Sequence, residues 1–112
     1  MKRCVALLAA LPLLFPAAQA AAYEEQDFDW DPLLNHYKRV VIAGVNKMAR
    51  ERPDCEILDP KTVRKYGGTP DDPEFEVTCG EAGNQTVARF SKTDVTGDPA
   101  SDIPLEDKQA KQ

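Results

Sequence analysis

From Asp31 to Arg52 the chain places apolar side chains at Leu33, Leu34, Tyr37, Val40, Val41, Val45, Met48 and Ala49. These recur at the i, i+3, i+4, i+7 spacing of a helix with one buried stripe. Asn35, Lys38, Arg39, Asn46, Lys47 and Arg50 fall mostly between them. The other segments are short and need something to pack against, so this stretch organises the chain. Asp31 can accept a hydrogen bond from an orphan backbone N–H of the first turn, and Pro32 suits the first helical position. Asp27 and Asp29 put negative charge near the positive end of the macrodipole, while Arg50 and Arg52 suit the other end. Pro53 stops the helix because it disfavours helical geometry at Arg52. The spacing thus predicts one helix over 31–52, about 30 Å long. Gly44 sits in its middle at a cost of about 1 kcal/mol relative to Ala. That cost is explained if a strand or another backbone packs close there.

Residues 1–20 are expected to be a secretory signal peptide. Lys2 and Arg3 precede an apolar run from Cys4 to Phe15, and Ala18-Gln19-Ala20 is a small-x-small cleavage site. The run is too short for a membrane span. Cleavage after Ala20 leaves 92 of the 112 residues, enough for one small domain with a modest core. Lys2 and Arg3 are two of 14 basic residues; without them 12 remain against 19 acidic ones, a formal charge of −7. Such a surface argues against nucleic acid or anionic lipid as the main partner.

Cys4 leaves with the signal peptide, so only Cys55 and Cys79 remain. An even count in an exported chain predicts a structural disulfide between them. Redox-active pairs are usually close in sequence, and these are not. Two cysteines and His36 are too few and too scattered for a zinc site, and no cofactor is expected.

Residues 21–30 form an acidic and aromatic lead-in. The spacing Asp27-x-Asp29-x-Asp31 resembles the start of a calcium loop, but Pro32 stands where a turn glycine belongs and Lys38 where a bidentate Glu belongs. After Pro53, Cys55 to Leu58 reads as a short strand. Asp59-Pro60 repeats the cap-plus-proline helix start, so Lys61 to Tyr66 reads as one or two helical turns. Gly67 to Pro73 is a loop. Glu74 to Cys79 alternates, with Phe75, Val77 and Cys79 on one face of a half-buried strand. Gly80 to Asn84 is a hairpin-type connection and Gln85 to Ser91 the returning strand, with Thr86, Ala88 and Phe90 on one face. Asp94 to Asp98 reads as a turn, and residues 97–112 as a disordered polar tail.

The expected fold is α+β. One long N-terminal helix packs on a small antiparallel sheet, a hairpin or three-stranded meander, stapled by one disulfide, with residues 31–96 as the single domain. The run from Asp72 to Asp98, with Phe75-Glu76-Val77, a glycine-containing turn, Thr86 to Phe90 and Thr93-Asp94-Val95-Thr96-Gly97, resembles the strand-turn-strand end of PepSY-type modules. That resemblance covers about a quarter of the chain and implies a small exported helix-plus-sheet domain of inhibitory or regulatory kind. The cysteines depart from it, and it carries over no functional residue.

Three functions are then open. The preferred one is a non-enzymatic periplasmic or secreted module that binds, inhibits or assists another envelope protein, or forms a homo-oligomer through a sheet edge. Tyr23, Trp30 and Tyr66 are its candidate contact residues. An enzyme would have to pair His36 with Ser91, Ser101 or a threonine, and no elbow motif marks any of them. The runner-up to the first is a metal- or small-ligand-binding periplasmic carrier that uses the acidic lead-in.

Overall fold

A computed structural model describes residues 22–110. The signal peptide expected at 1–20 lies outside the described residues. The fold is α+β, with a three-stranded antiparallel sheet and one disulfide joining Cys55 to Cys79. Among the described residues no helix is long and apolar enough to cross a membrane.

Helix α1 spans Lys38–Glu51 and buries Val40, Val41, Gly44, Val45 and Met48. This is the stripe read from the sequence, but the helix is shorter than expected and does not begin at Asp31. Asp31 does cap the chain: its Oδ1 accepts the N–H groups of Leu33 and Leu34, each at 2.9 Å. A turn over 32–34 follows, and then a 3-10 turn, Asn35–Tyr37. Tyr37, at φ −122° and ψ 28°, breaks the α geometry before Lys38. Its ring meets that of Phe75 edge-on, 5.5 Å between centroids. Packing onto the sheet thus overrides a local pattern that favoured unbroken helix. Asp31→Ala should cost about 1 kcal/mol through the lost cap, with Asp31→Asn close to neutral; urea unfolding measures both. At the far end Arg52 is extended, as the residue before Pro53 should be.

Strand β1 runs Leu58–Gly68, β2 Pro73–Cys79 and β3 Thr86–Ser91, paired in the order β1-β2-β3. β2 is the centre, and its Pro73, Phe75, Val77 and Cys79 are buried. Both the short strand expected at 55–58 and the helical turns expected at 61–66 are corrected. Cys55 closes a 3-10 turn, Pro53–Cys55, and β1 occupies the helical stretch. Asp59 does cap Lys61, accepting its N–H at 3.0 Å, but the motif makes an irregularity in the strand between Asp59 and Arg64 rather than a helix. There the Thr62 hydroxyl accepts the Thr78 N–H at 2.9 Å, so a side chain bridges the interrupted pairing. β1 is an edge strand, where the missing N–H of Pro60 does little harm.

The stretch read as a turn at Asp94–Asp98 is corrected as well. It is mostly a short helix, α2, Lys92–Thr96. Ser91 and Asp94 form a capping box at its start, and Gly97 ends it at φ 77°. Residues after Gly97 then fold back along α1 and end in helix α3, Leu105–Ala110. Pro104 is buried, and Leu105 lies against Gly97. Ion pairs join Lys92 to Asp102, Arg39 to Asp107 and Arg50 to Glu106.

The core lies between α1 and the inner face of the sheet. It gathers Leu34, Val40, Val41, Val45 and Met48 with Leu58, Val63, Phe75, Val77, Ala88 and Phe90. The disulfide sits at its edge, both sulfurs' residues fully buried and their Cα atoms 4.7 Å apart. It ties the turn after α1 to the end of β2.

Candidate interaction surface

The three aromatic residues singled out from the sequence fall in two different places. Tyr23 and Trp30 belong to the lead-in, which lies on α1. The Tyr23 N–H donates to Asn46 Oδ1 at 2.7 Å, and Asn46 Nδ2 donates back to the Tyr23 carbonyl at 3.1 Å. Trp30 stacks on buried Phe28, 5.0 Å between ring centroids, and its indole N–H donates to the Glu25 carbonyl. Lys38 lies over the Trp30 ring and pairs with Glu25. These two aromatics fasten the lead-in to the body of the protein.

Tyr66 is different. It projects from β1 onto the outer face of the sheet and is 51% exposed. The Arg89 guanidinium lies 3.9 Å from its ring centroid and pairs with Glu76 at 3.8 Å. Arg64 faces Glu76 from the other side, and Val87 faces Thr78. Period-2 alternation puts all of these on the face opposite the core. Val87 is 52% exposed. The result is a charged row, Arg64–Glu76–Arg89, bordered by one aromatic and one aliphatic side chain open to solvent. Tyr and Arg are residue types that dominate binding energy when a partner desolvates them. The guanidinium over the Tyr66 face is an attractive contact that holds both side chains in place.

Sequence reasoning named Tyr66 but not Val87 or Arg89. Alternation puts Val87 and Arg89 on the face opposite Ala88 and Phe90, but which strand lies at the edge depends on strand order, which no local pattern encodes.

The two edges of the sheet differ. β1 carries the devices that discourage strand pairing: Pro60, two irregularities of register, and Lys61, Arg64 and Lys65. β3 has no proline, no glycine and a continuous register from Thr86 to Ser91. Its one charge, Arg89, is drawn over the sheet toward Tyr66 and Glu76.

The residues considered for other chemistries are engaged locally. Asp27 accepts the Glu24 N–H at 2.8 Å and Asp31 caps its turn. His36 is exposed in the 3-10 turn. The Ser91 hydroxyl oxygen accepts the Asp94 N–H and that of Ser101 accepts the Ile103 N–H. A shallow cleft of ≈ 430 Å³ separates the lead-in from the start of β1, beside Tyr23, Asp27, Asp59 and Lys61. Its two carboxylates already hold backbone N–H groups. Among the described residues no group of three or more His, Cys, Asp or Glu side chains is placed to hold a metal ion.

No protein-family model, curated protein or solved structure matches this chain. The likeness of residues 72–98 to PepSY-type modules therefore rests on those residues alone.

Proposed function

We propose that this chain is exported to the periplasm or secreted, loses residues 1–20, and works as a non-enzymatic module that binds another envelope protein. The observation that carries the reading is the outer face of the sheet, where Tyr66 and Val87 are half exposed around the Arg64–Glu76–Arg89 row. What sets this face apart from the other exposed apolar positions, such as Leu33 and Ile57, is that its aromatic and its aliphatic side chain share one sheet face with a charged row. The buried disulfide suits an oxidising compartment. Inhibition or assistance of the bound protein are both compatible with such a surface.

The test places a photo-cross-linking amino acid at Tyr66, at Val87, or at exposed Asn35 on the lead-in side, in the cell the protein comes from. One reproducible protein adduct from positions 66 or 87, and none from 35, is the expected result. Adducts from all three positions alike, or from none, would overturn the reading.

A further inference from the structure

The segment after Gly97 is attached to the body by charge. Among the described residues three ion pairs hold it, and all run in one sense. The carboxylates of Asp102, Glu106 and Asp107 belong to the segment, and their partners Lys92, Arg50 and Arg39 belong to α2 and α1. Among the described residues no backbone hydrogen bond joins 99–110 to the body; the N–H groups of Ser101 and Asp107 donate to the Asp98 and Pro104 carbonyls. The hydrophobic core ends at Val95 and takes nothing from the segment. Pro104 is buried, but Ile103 and Leu105 on either side of it are 36% and 40% exposed. Two cavities remain along the contact, ≈ 210 Å³ beside Lys47, Glu51 and Val95, and ≈ 260 Å³ beside Arg39, Ile42 and Asn46. The core is thus complete without this segment, and the segment fits its seat loosely.

We propose that residues 99–110 are a displaceable strap over a docking seat: the face of α1 and α2 that presents Arg39, Arg50 and Lys92 takes an acidic segment of a partner, and the strap is the occupant that this segment displaces. The strap itself shows the chemistry the seat accepts. It sets one carboxylate on each of the three cations and buries one apolar residue, Pro104, against the body. Exposed ion pairs hold weakly and are screened by salt. Because the seat makes no backbone hydrogen bonds to the strap, another segment with the same charges and one apolar residue satisfies it equally. The covalent link gives the strap an effective concentration on the order of millimolar. A partner segment therefore prevails only when it is locally concentrated or brings further contacts, so the strap sets a threshold for binding. Glu51 also lines the contact, and the chain carries a formal charge of −5, which disfavours long polyanions.

This seat lies apart from Tyr66 and Val87 and goes beyond the outer-face reading. The experiment uses the full chain and a synthetic peptide of residues 98–110 as the probe. Hydrogen exchange on the unaltered protein comes first. Raising salt from about 0.02 M to about 0.5 M should speed exchange of the amides of 105–110 about tenfold and leave those of 75–79 unchanged. The variant Asp102→Lys/Glu106→Lys/Asp107→Lys should release the strap while keeping the amides of 75–79 protected. Nuclear magnetic resonance titration with millimolar peptide at low salt should then shift the signals of 39–50, with an affinity at least about tenfold above that of the unaltered chain. Adding Arg39→Glu/Arg50→Glu, or using a peptide with Asp102→Asn, Glu106→Gln and Asp107→Asn, should abolish the shifts, whereas Tyr66→Ala should not. Amides of 105–110 that are as protected as 75–79 and indifferent to salt would overturn the strap, as would loss of protection at 75–79 in the charge-reversed variant. A released variant that binds no peptide, or binds the amide peptide equally, would overturn the seat. Concentration-dependent dimerisation of the unaltered chain with the strap amides still protected would overturn it in favour of strap exchange between copies. Each of these outcomes leaves the cross-linking test at Tyr66 and Val87 to decide the outer-face reading separately.

Discussion

Replacing Cys55 and Cys79 together by alanine is expected to lower the unfolding free energy by about 3.5 kcal/mol. The bond closes a loop between positions 24 apart in sequence, and the chain-entropy model assigns that loop this cost in the unfolded state. Small domains have net stabilities of roughly 5–15 kcal/mol, so about a quarter to two thirds of the margin would go. Location adds to the effect. Both residues are fully buried beside Leu58 and Val77, and alanine would leave small voids where two sulfur atoms pack. Urea unfolding of the oxidised protein and the double variant gives the difference directly. A loss below about 1 kcal/mol would mean that the unfolded chain is little constrained by the bond.

Gly44→Ala should destabilise the protein, by about 1–2 kcal/mol, although helix propensity alone predicts a gain of about 1 kcal/mol. A Cβ at Gly44 would lie 2.3 Å from Phe90 Cε2, 2.6 Å from Cδ2 and 2.7 Å from Cζ. Shifting the ring costs packing. It is 5% exposed and packs against Phe75 with centroids 5.5 Å apart. The helix must therefore lift from the sheet or Phe90 must leave its rotamer, and both cost packing. Adding Phe90→Leu should make Gly44→Ala less harmful than it is alone, because the obstructing ring edge is gone. Stability measured for the two single variants and the double variant tests the coupling. Stabilisation by Gly44→Ala alone would contradict the close approach.

Much of this was legible in the sequence, and the reasons can be assigned residue by residue. The α1 stripe and the alternation in β2 were readable because burial on one face imposes a period on the residues themselves. Leu33, counted in the stripe, is instead 61% exposed in the turn before the helix. Gly44 announced a close neighbour, although that neighbour is a side chain rather than a backbone. Residues 59–66 misled because Asp59-Pro60 caps a backbone N–H in either structure. The deciding contact is the pairing of β1 with β2, which is remote in sequence. Ser91-x-x-Asp94 was a readable capping box that marks the helix at 92–96. The stretch after Gly97 is polar, and what fixes it against α1 is pairing with Arg39, Arg50 and Lys92, residues separated from it in sequence. Of the candidate surface, Tyr66 was visible as an aromatic in a polar segment. The edge position of β3 belongs to the assembled fold.

The position of the disulfide also decides how the chain answers to cutting. The exposed turn at 69–72 lies between Cys55 and Cys79, whereas the turn at 80–85 lies beyond both. A protease that nicks the first turn yields two fragments still joined covalently, with β1 and β2 held at their far ends. Such a nicked molecule migrates as one species until a reductant is added. A nick in the second turn releases β3 and everything after it from any covalent tie to the rest. Two exposed turns of one small meander thus differ in consequence: one can be cleaved with the pieces still covalently joined, whereas after cleavage of the other only non-covalent packing holds them.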